Sequence, residues 1–226
     1  MLILVIAGLP ETLPQAKRQS GGMTGTLKIF GKLIKDRKFM GYSLSQGFVS
    51  AAMFAYISGS SFVLQNIYQV SEQTYSLIFA LNGIGIIIAS QVTGRIAGKV
   101  KESTLLMIGL CLAAIASLSL LAVIMLEGSL ILLMIPLFFV VSSVGIVGTS
   151  SFSLAMQSQN EHAGSASALL GLLPFILGAS VAPLVGLAGD HNALPMGIVI
   201  ACADLIAVFF YITMVKGVKS PASHQA

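Results

Sequence analysis

Charged side chains are scarce in this 226-residue chain. Asp, Glu, Lys and Arg make up 9% of it, hydrophobic residues make up 56%, and the mean hydropathy is +0.94. A soluble domain carries roughly 25% charged residues, so too few are present to solvate the surface of a water-soluble protein of this size. Cysteine is nearly absent as well. Cys111 and Cys202 both fall in apolar runs, and one such pair has no metal-ligand spacing, so both are expected to be small buried hydrophobes. Neither a metal site nor a cofactor is expected.

Catalytic chemistry lacks its residues too. No GxSxG or HExxH occurs, and His162, His191 and His224 lie in connecting segments or the tail. Asp204 is the single acid or base inside an apolar run, which leaves an intramembrane protease without a partner group. No enzyme is expected. The net charge of +4 and pI of 9.2 invite a nucleic-acid reading. The bases, however, flank apolar runs instead of forming an aromatic-laced patch. Membrane lipid with anionic headgroups is the expected partner, and nucleic acid is not.

The charge that is present is placed asymmetrically. Glu11 to Met40 holds Lys17, Arg18, Lys28, Lys32, Lys35, Arg37 and Lys38, seven of the twelve bases. Before it, MLILVIAGLP (residues 1–10) lacks the basic start and cleavage site of a signal peptide. It is too short to cross a layer of roughly 30 Å, and is expected to be the remnant of a preceding transmembrane helix. Residues 11–40 then form a basic linker. From Thr26 to Lys38, Leu27, Phe30 and Ile34 recur at helical spacing opposite Lys28, Lys32 and Lys35. This pattern fits an amphipathic helix along the membrane interface or an ordinary linker helix.

Residues 41–226 read as a six-helix transmembrane domain with a short tail, making the chain an all-α integral membrane protein. The spans are about Gly41–Leu64, Thr74–Thr93, Thr104–Leu126, Ser129–Met156, Ala163–Leu187 and Leu194–Val215, each near or above the ~20 residues a bilayer needs. Alternation places Gly94–Ser103, Gln157–His162 and the tail on the linker's side, with Arg95, Lys99, Lys101, Lys216 and Lys219. All twelve bases then share one side, and the loops around Glu72, Glu127 and Asp190 carry none. The positive-inside rule makes this a multi-pass protein of the cell membrane with both termini cytoplasmic.

Small residues stud the spans: Gly83, Gly85 and Ala89; Gly145 and Gly148; Gly164, Ala168, Gly171 and Gly178. They allow the close approach that holds helices together in lipid. Pro174 and Pro183 are expected to bend their span. Gln46, Ser50, Met53, Tyr56 and Ser60 fall on one side of the first span. They form either a substrate-facing wall or a set of interhelical hydrogen bonds, and Asn82 in the second span has the same two readings. Asp204, mid-way along the last span, is a proton site or ion partner by default. The alternative is a protonated Asp bonded to a neighbouring helix. The absence of any Lys or Arg within the spans favours the protonated form.

LPETLP, a basic linker, FAYISGSSFVLQ, FALNGIG and AGSASALLG follow one another in this order. In this the chain resembles the Bcr/CflA group of drug-resistance transporters, drug:proton antiporters of the major facilitator superfamily. The similarity covers the whole chain but only the family's second half. The resemblance implies a twelve-helix fold in two halves with the substrate cavity between them, and this chain as the six-helix C-terminal half. It carries over Tyr56 and Ser58 in FAYIS, and Asn82 in FALN, as cavity candidates. Ser61 stands where the family commonly has Pro, and Leu173-Pro174 where Leu-Gln is common. Gly94 to Glu102, GRIAGKVKE, resembles the gating motif GxxxDRxGRR in degenerate form. Gly94 matches, Lys99 stands in for the first Arg, and Arg95 lies between them. Gly98 replaces the Asp, Lys101 the Gly and Glu102 the next Arg.

The resemblance implies proton-coupled efflux of a small-molecule drug. A metabolite exporter, for sugars or amino acids, and a non-transporting membrane fragment are the alternatives. The partners implied are protons, the small molecule, and a missing first half or a second copy of the chain. The family's coupling acid is expected in that first half.

Overall fold

In the computed structural model of the chain, residues 22–159, 162–186 and 192–217 are described. The expected helix remnant at 1–10, the start of the linker with Lys17 and Arg18, and Asp190, His191, Lys219 and His224 lie outside them. Among the described residues there are seven helices and no strand. α1 is Gly22–Lys35. α2 is Arg37–Phe62 and continues as a π turn over Val63–Ile67. α3 is Glu72–Ile96, α4 Glu102–Met125 and α5 Leu130–Met156. α6 is Ala163–Gly186, and α7 is Leu194–Phe210 with a π turn over Tyr211–Lys216. The six helices α2 to α7 are each long and apolar enough to cross a membrane.

α2 and α3 run further than the apolar runs that announced them, because capping residues and not hydropathy set their starts. The amphipathic helix was expected to reach Lys38 but stops at Lys35. The Asp36 carboxylate accepts from Lys38 N at 3.0 Å and Phe39 N at 3.1 Å, which starts α2 four residues earlier than expected. Ser71 caps α3 in the same way through Thr74 N. α6 passes through Pro174 and Pro183 as one helix, and α5 passes through Pro136.

α2 and α5 are the most enclosed spans and sit at the centre. α2 packs on α5, α6 and α7; α5 packs on α2, α3 and α4; α4 packs on α5 and α7. α3 and α6 are the least covered. Some of the small residues are what the crossings require. A Cβ on Gly145 would lie 2.5 Å from the Ile86 carbonyl oxygen, and one on Gly85 would meet Ser142 and Phe138, so α3 and α5 approach through glycine. Gly178 likewise lies flat against the Phe54 ring between α6 and α2. Gly83, Gly148, Gly164 and Gly171 face open space; they are not packing positions within this bundle.

The cysteines correct the sequence reading. Cys111 and Cys202 are free and exposed on the outside of the bundle. In an apolar run, hydrophobicity alone does not separate a helix's core face from its outer face.

The two ends of the bundle differ in charge. At one end Arg37 Nη2 donates to the Thr213 carbonyl at 2.9 Å, and Gln159 Nε2 donates to Asp36 Oδ2 at 2.9 Å. Lys28, Lys32, Lys35, Lys38, Arg95, Lys99, Lys101 and Lys216 belong to the same end, because the helices alternate in direction. At the other end, around Glu72 and Glu127, the Tyr68 hydroxyl donates to the Gly128 carbonyl at 2.8 Å. Burial pushes the Tyr68 hydroxyl above its ordinary pKa, so it stays a donor.

Candidate functional site

The polar side chains of α2 divide between two neighbours. Tyr56 faces α3, where Asn82 Nδ2 donates to its hydroxyl oxygen at 2.9 Å. Its ring stacks on Phe79, with centroids 5.9 Å apart and planes at 17°, and Phe79 meets Tyr75 at 6.1 Å. Ser60 Oγ and the Tyr75 hydroxyl share a hydrogen bond at 3.3 Å. Ser58 turns the other way and donates to the Ala182 carbonyl of α6 at 3.3 Å. Gln46, Ser50 and Met53 are half-buried. The Gln46 Oε1 atom is shut away from solvent without a hydrogen-bond partner.

Tyr56 and Asn82 therefore come together, and Ser58 does not join them. The pair is sealed, with Tyr56 2% and Asn82 3% exposed, whereas Phe79 in front of them is 41% exposed. Phe79 is the surface of this site and the hydrogen-bonded pair is its backing. Tyr75, Phe79 and Asn82 are spaced i, i+4, i+7 along α3, a one-face helical pattern. That signal was present in the sequence, but aromatics in an apolar span read as core.

Asp204 lies on α7 facing the interior and is 0% exposed. Its carboxyl interacts with the Ser117 side chain of the neighbouring α4, in a geometry too loose for either oxygen to count as hydrogen-bonded. Ser117 of α4 is the polar side chain beside it, and its hydroxyl donates instead to the Ala114 carbonyl at 3.1 Å. An ionised carboxyl in such a place is costly, which makes the residue a candidate functional site.

At the basic end, Gly94 and Arg95 close α3 and Lys99 lies in the turn to α4; all three are exposed. Gly98 has φ +89°, a left-handed backbone that glycine adopts freely and a residue with a side chain adopts at a cost. The acid of this loop is Glu102 at the start of α4. Its Oε1 accepts from Ser153 at 2.9 Å and its Oε2 from Gln157 at 2.6 Å, which ties α4 to the end of α5. Sequence reasoning treated Glu102 as a mismatch and missed this role.

Two cavities lie at the ends. One of about 430 Å³, lined by Tyr68, Glu127 and Asn192, is at the opposite end from the lysines. One of about 100 Å³, lined by Thr93, Glu102 and Ser150, is at the basic end. Neither includes Tyr56 or Asn82. Among the described residues no cluster of three or more His, Cys, Asp or Glu could hold a metal ion.

The family model described as Major Facilitator Superfamily matches residues 1–183, a stretch that takes in α2 to α5 and most of α6 and stops before α7. The chain belongs to the major facilitator superfamily. It is 44% identical over 217 residues to the "Uncharacterized MFS-type transporter YdgK" of Bacillus subtilis (strain 168), covering 96% of this chain and 54% of that protein. It is 25% identical over 218 residues to the "Bicyclomycin resistance protein homolog" of Haemophilus influenzae, covering 96% of this chain and 55% of that protein. The chain thus spans about half the length of the curated relatives it matches. Members of this superfamily are membrane transporters and generally not enzymes. The particular group within it rests on the sequence resemblance described above and on the Haemophilus relative's name.

Proposed function

We propose that this chain supplies the C-terminal six-helix half of a proton-coupled drug exporter of the major facilitator superfamily, with its basic end in the cytoplasm. The observation that carries the proposal is the α3 surface. Phe79 is exposed, stacked on Tyr56 and braced through Asn82, on a helix that packs mainly on α5, touches α2 through these side chains, and is otherwise little covered. An aromatic face at membrane depth suits an apolar or aromatic drug, which buries its rings against it. Covering α3 with a second six-helix half would enclose that face in a cavity, and rocking the halves would open it to each side in turn. Asp204 is the candidate to carry the proton, as the acid that α7 buries within the bundle. The cargo follows the Haemophilus relative's printed name as a class only: a drug.

The test is transport in liposomes with an imposed proton gradient. The chain is reconstituted alone and with the part of the Bacillus relative that it does not match. Gradient-driven drug movement is expected only with both parts present. Phe79→Ala should raise the half-saturating drug concentration roughly tenfold, the loss of one well-packed aromatic contact. Asp204→Asn should flatten the dependence on the gradient. Movement of a drug by this chain alone, or coupling unchanged by Asp204→Asn at equal protein level, overturns the corresponding part of the reading.

A further inference from the structure

Helix α1 has three faces. Leu33 is 2% exposed and sits against Phe39, Ala166 and Leu170, with Ile29 and Phe30 packed beside it. These contacts fix the rotation of the helix. At about 100° per residue, Leu27 and Ile34 then point roughly 110° away from the bundle, and Lys28, Lys32 and Lys35 roughly 230° away. Leu27 is 63% exposed and Ile34 56%. The three lysines are exposed, and none forms an ion pair or side-chain hydrogen bond with a described residue.

The height of α1 is fixed as well. Asp36 alone separates it from α2, and the same carboxylate caps α2 and accepts from Gln159 just beyond α5. The Leu33 seat uses Ala155 at the end of α5 and Ala166 at the start of α6. α1 therefore lies across the basic end, level with the points where the spans leave the apolar layer. The bundle takes one face and two faces remain. An apolar flank and a lysine flank about 120° apart match the two sides of a headgroup layer.

We propose that α1 is a binding site for anionic phospholipid: Leu27 and Ile34 enter the acyl region, and Lys28, Lys32 and Lys35 hold the headgroup phosphates. Lysines near a membrane surface each contribute attraction to anionic lipid, and these three have no partner among the described residues. A soluble polyanion could use the lysines but would leave Leu27 and Ile34 in water. Only a lipid offers both chemistries in the observed arrangement. The proposal depends on the membrane fold and not on the transported substrate.

The full chain, with Cys111 and Cys202 replaced by Ser, is reconstituted in vesicles of phosphatidylcholine with a minority of phosphatidylglycerol. Nitroxides at Leu27→Cys and Ile34→Cys should collide more with oxygen than with a nickel chelate, and a nitroxide at Lys28→Cys the reverse. Spin-labelled phosphatidylglycerol should associate in preference to spin-labelled phosphatidylcholine. Each Lys→Gln change should lower that preference by up to about fivefold. The triple Lys→Arg variant should keep it, and concentrated salt should weaken it in the unmodified chain. The salt arm needs no variant, so it decides the matter even if the triple Gln protein fails to fold. Water-exposed labels at 27 and 34, or a preference indifferent to both salt and Lys→Gln, overturns the proposal. Labels shielded from both reagents would assign the face to a protein partner and overturn it equally.

Discussion

Asn82 on α3 donates a 2.9 Å hydrogen bond to Tyr56 on α2 in a place where both side chains are sealed from solvent. In lipid a polar pair of this kind couples two helices, here beside the Tyr56–Phe79 stack and the Ser60–Tyr75 hydrogen bond. Double-mutant cycles on such bonds average about 0.6 kcal/mol and reach about 1.7. Tyr56→Phe, Asn82→Leu and the double variant should show coupling in that range when unfolding is followed in mixed detergent. Strictly additive effects would mean that the bond holds nothing.

The glycines separate into two groups by experiment. Gly145→Val should cost about 1–3 kcal/mol or prevent folding, because its Cβ meets the Ile86 carbonyl, which is backbone and cannot swing away. Gly148→Ala, three residues on with open space around it, should leave thermal stability unchanged or raised by up to about 1 kcal/mol. Equal losses at the two positions would contradict the α3–α5 crossing.

Restoring the gating motif's acid should harm this protein. Gly98→Asp places a side chain on a backbone with φ +89°, at a cost of about 1 kcal/mol. Glu102→Gln keeps the shape but weakens the bonds from Ser153 and Gln157, and should speed hydrogen exchange in the turn at 97–101. Slower exchange in either variant, or a more stable Gly98→Asp protein, would argue against Glu102 as the acid that closes this loop.

Cys111 and Cys202 face outward from the membrane-spanning part of the bundle. Both should react with a lipid-soluble maleimide in intact vesicles and resist a charged, impermeant thiosulfonate. Cysteines placed at Arg95 and Lys99 should react with the impermeant reagent from one side only, the cytoplasmic side. Labelling of those positions from outside would invert the proposed orientation.

The spans were legible because twenty-residue apolar runs have few other uses, and the alternation of charge fixed which ends lie together. Their limits were less legible. Hydropathy marks where lipid begins, while Asp36 and Ser71 mark where a helix begins, and the two differ by several residues. Within the spans, sequence singled out Tyr56, Asn82 and Asp204 because polar groups are conspicuous there. It passed over Phe79 and Tyr75, since an aromatic is conspicuous in a membrane helix only once its neighbours are known. Helical spacing also could not tell which way Ser58 turns. Position 58 sits on the flank of α2 between two neighbouring helices, and only packing chose α6.

The central place of α5 bears on the order in which the protein can be made. α2, α3 and α4 leave the ribosome before α5, yet α3 rests mainly on α5, and α4 on α5 and α7. When α4 has entered the bilayer, α2, α3 and α4 all still lack the main neighbours that will hold them. α5 then arrives as a keystone, reaching α2, α3 and α4 at once. A nascent chain arrested before Leu130 should consist of loose, independently inserted helices that the cell's membrane proteases recognise. A chain arrested after Met156 should already resist them.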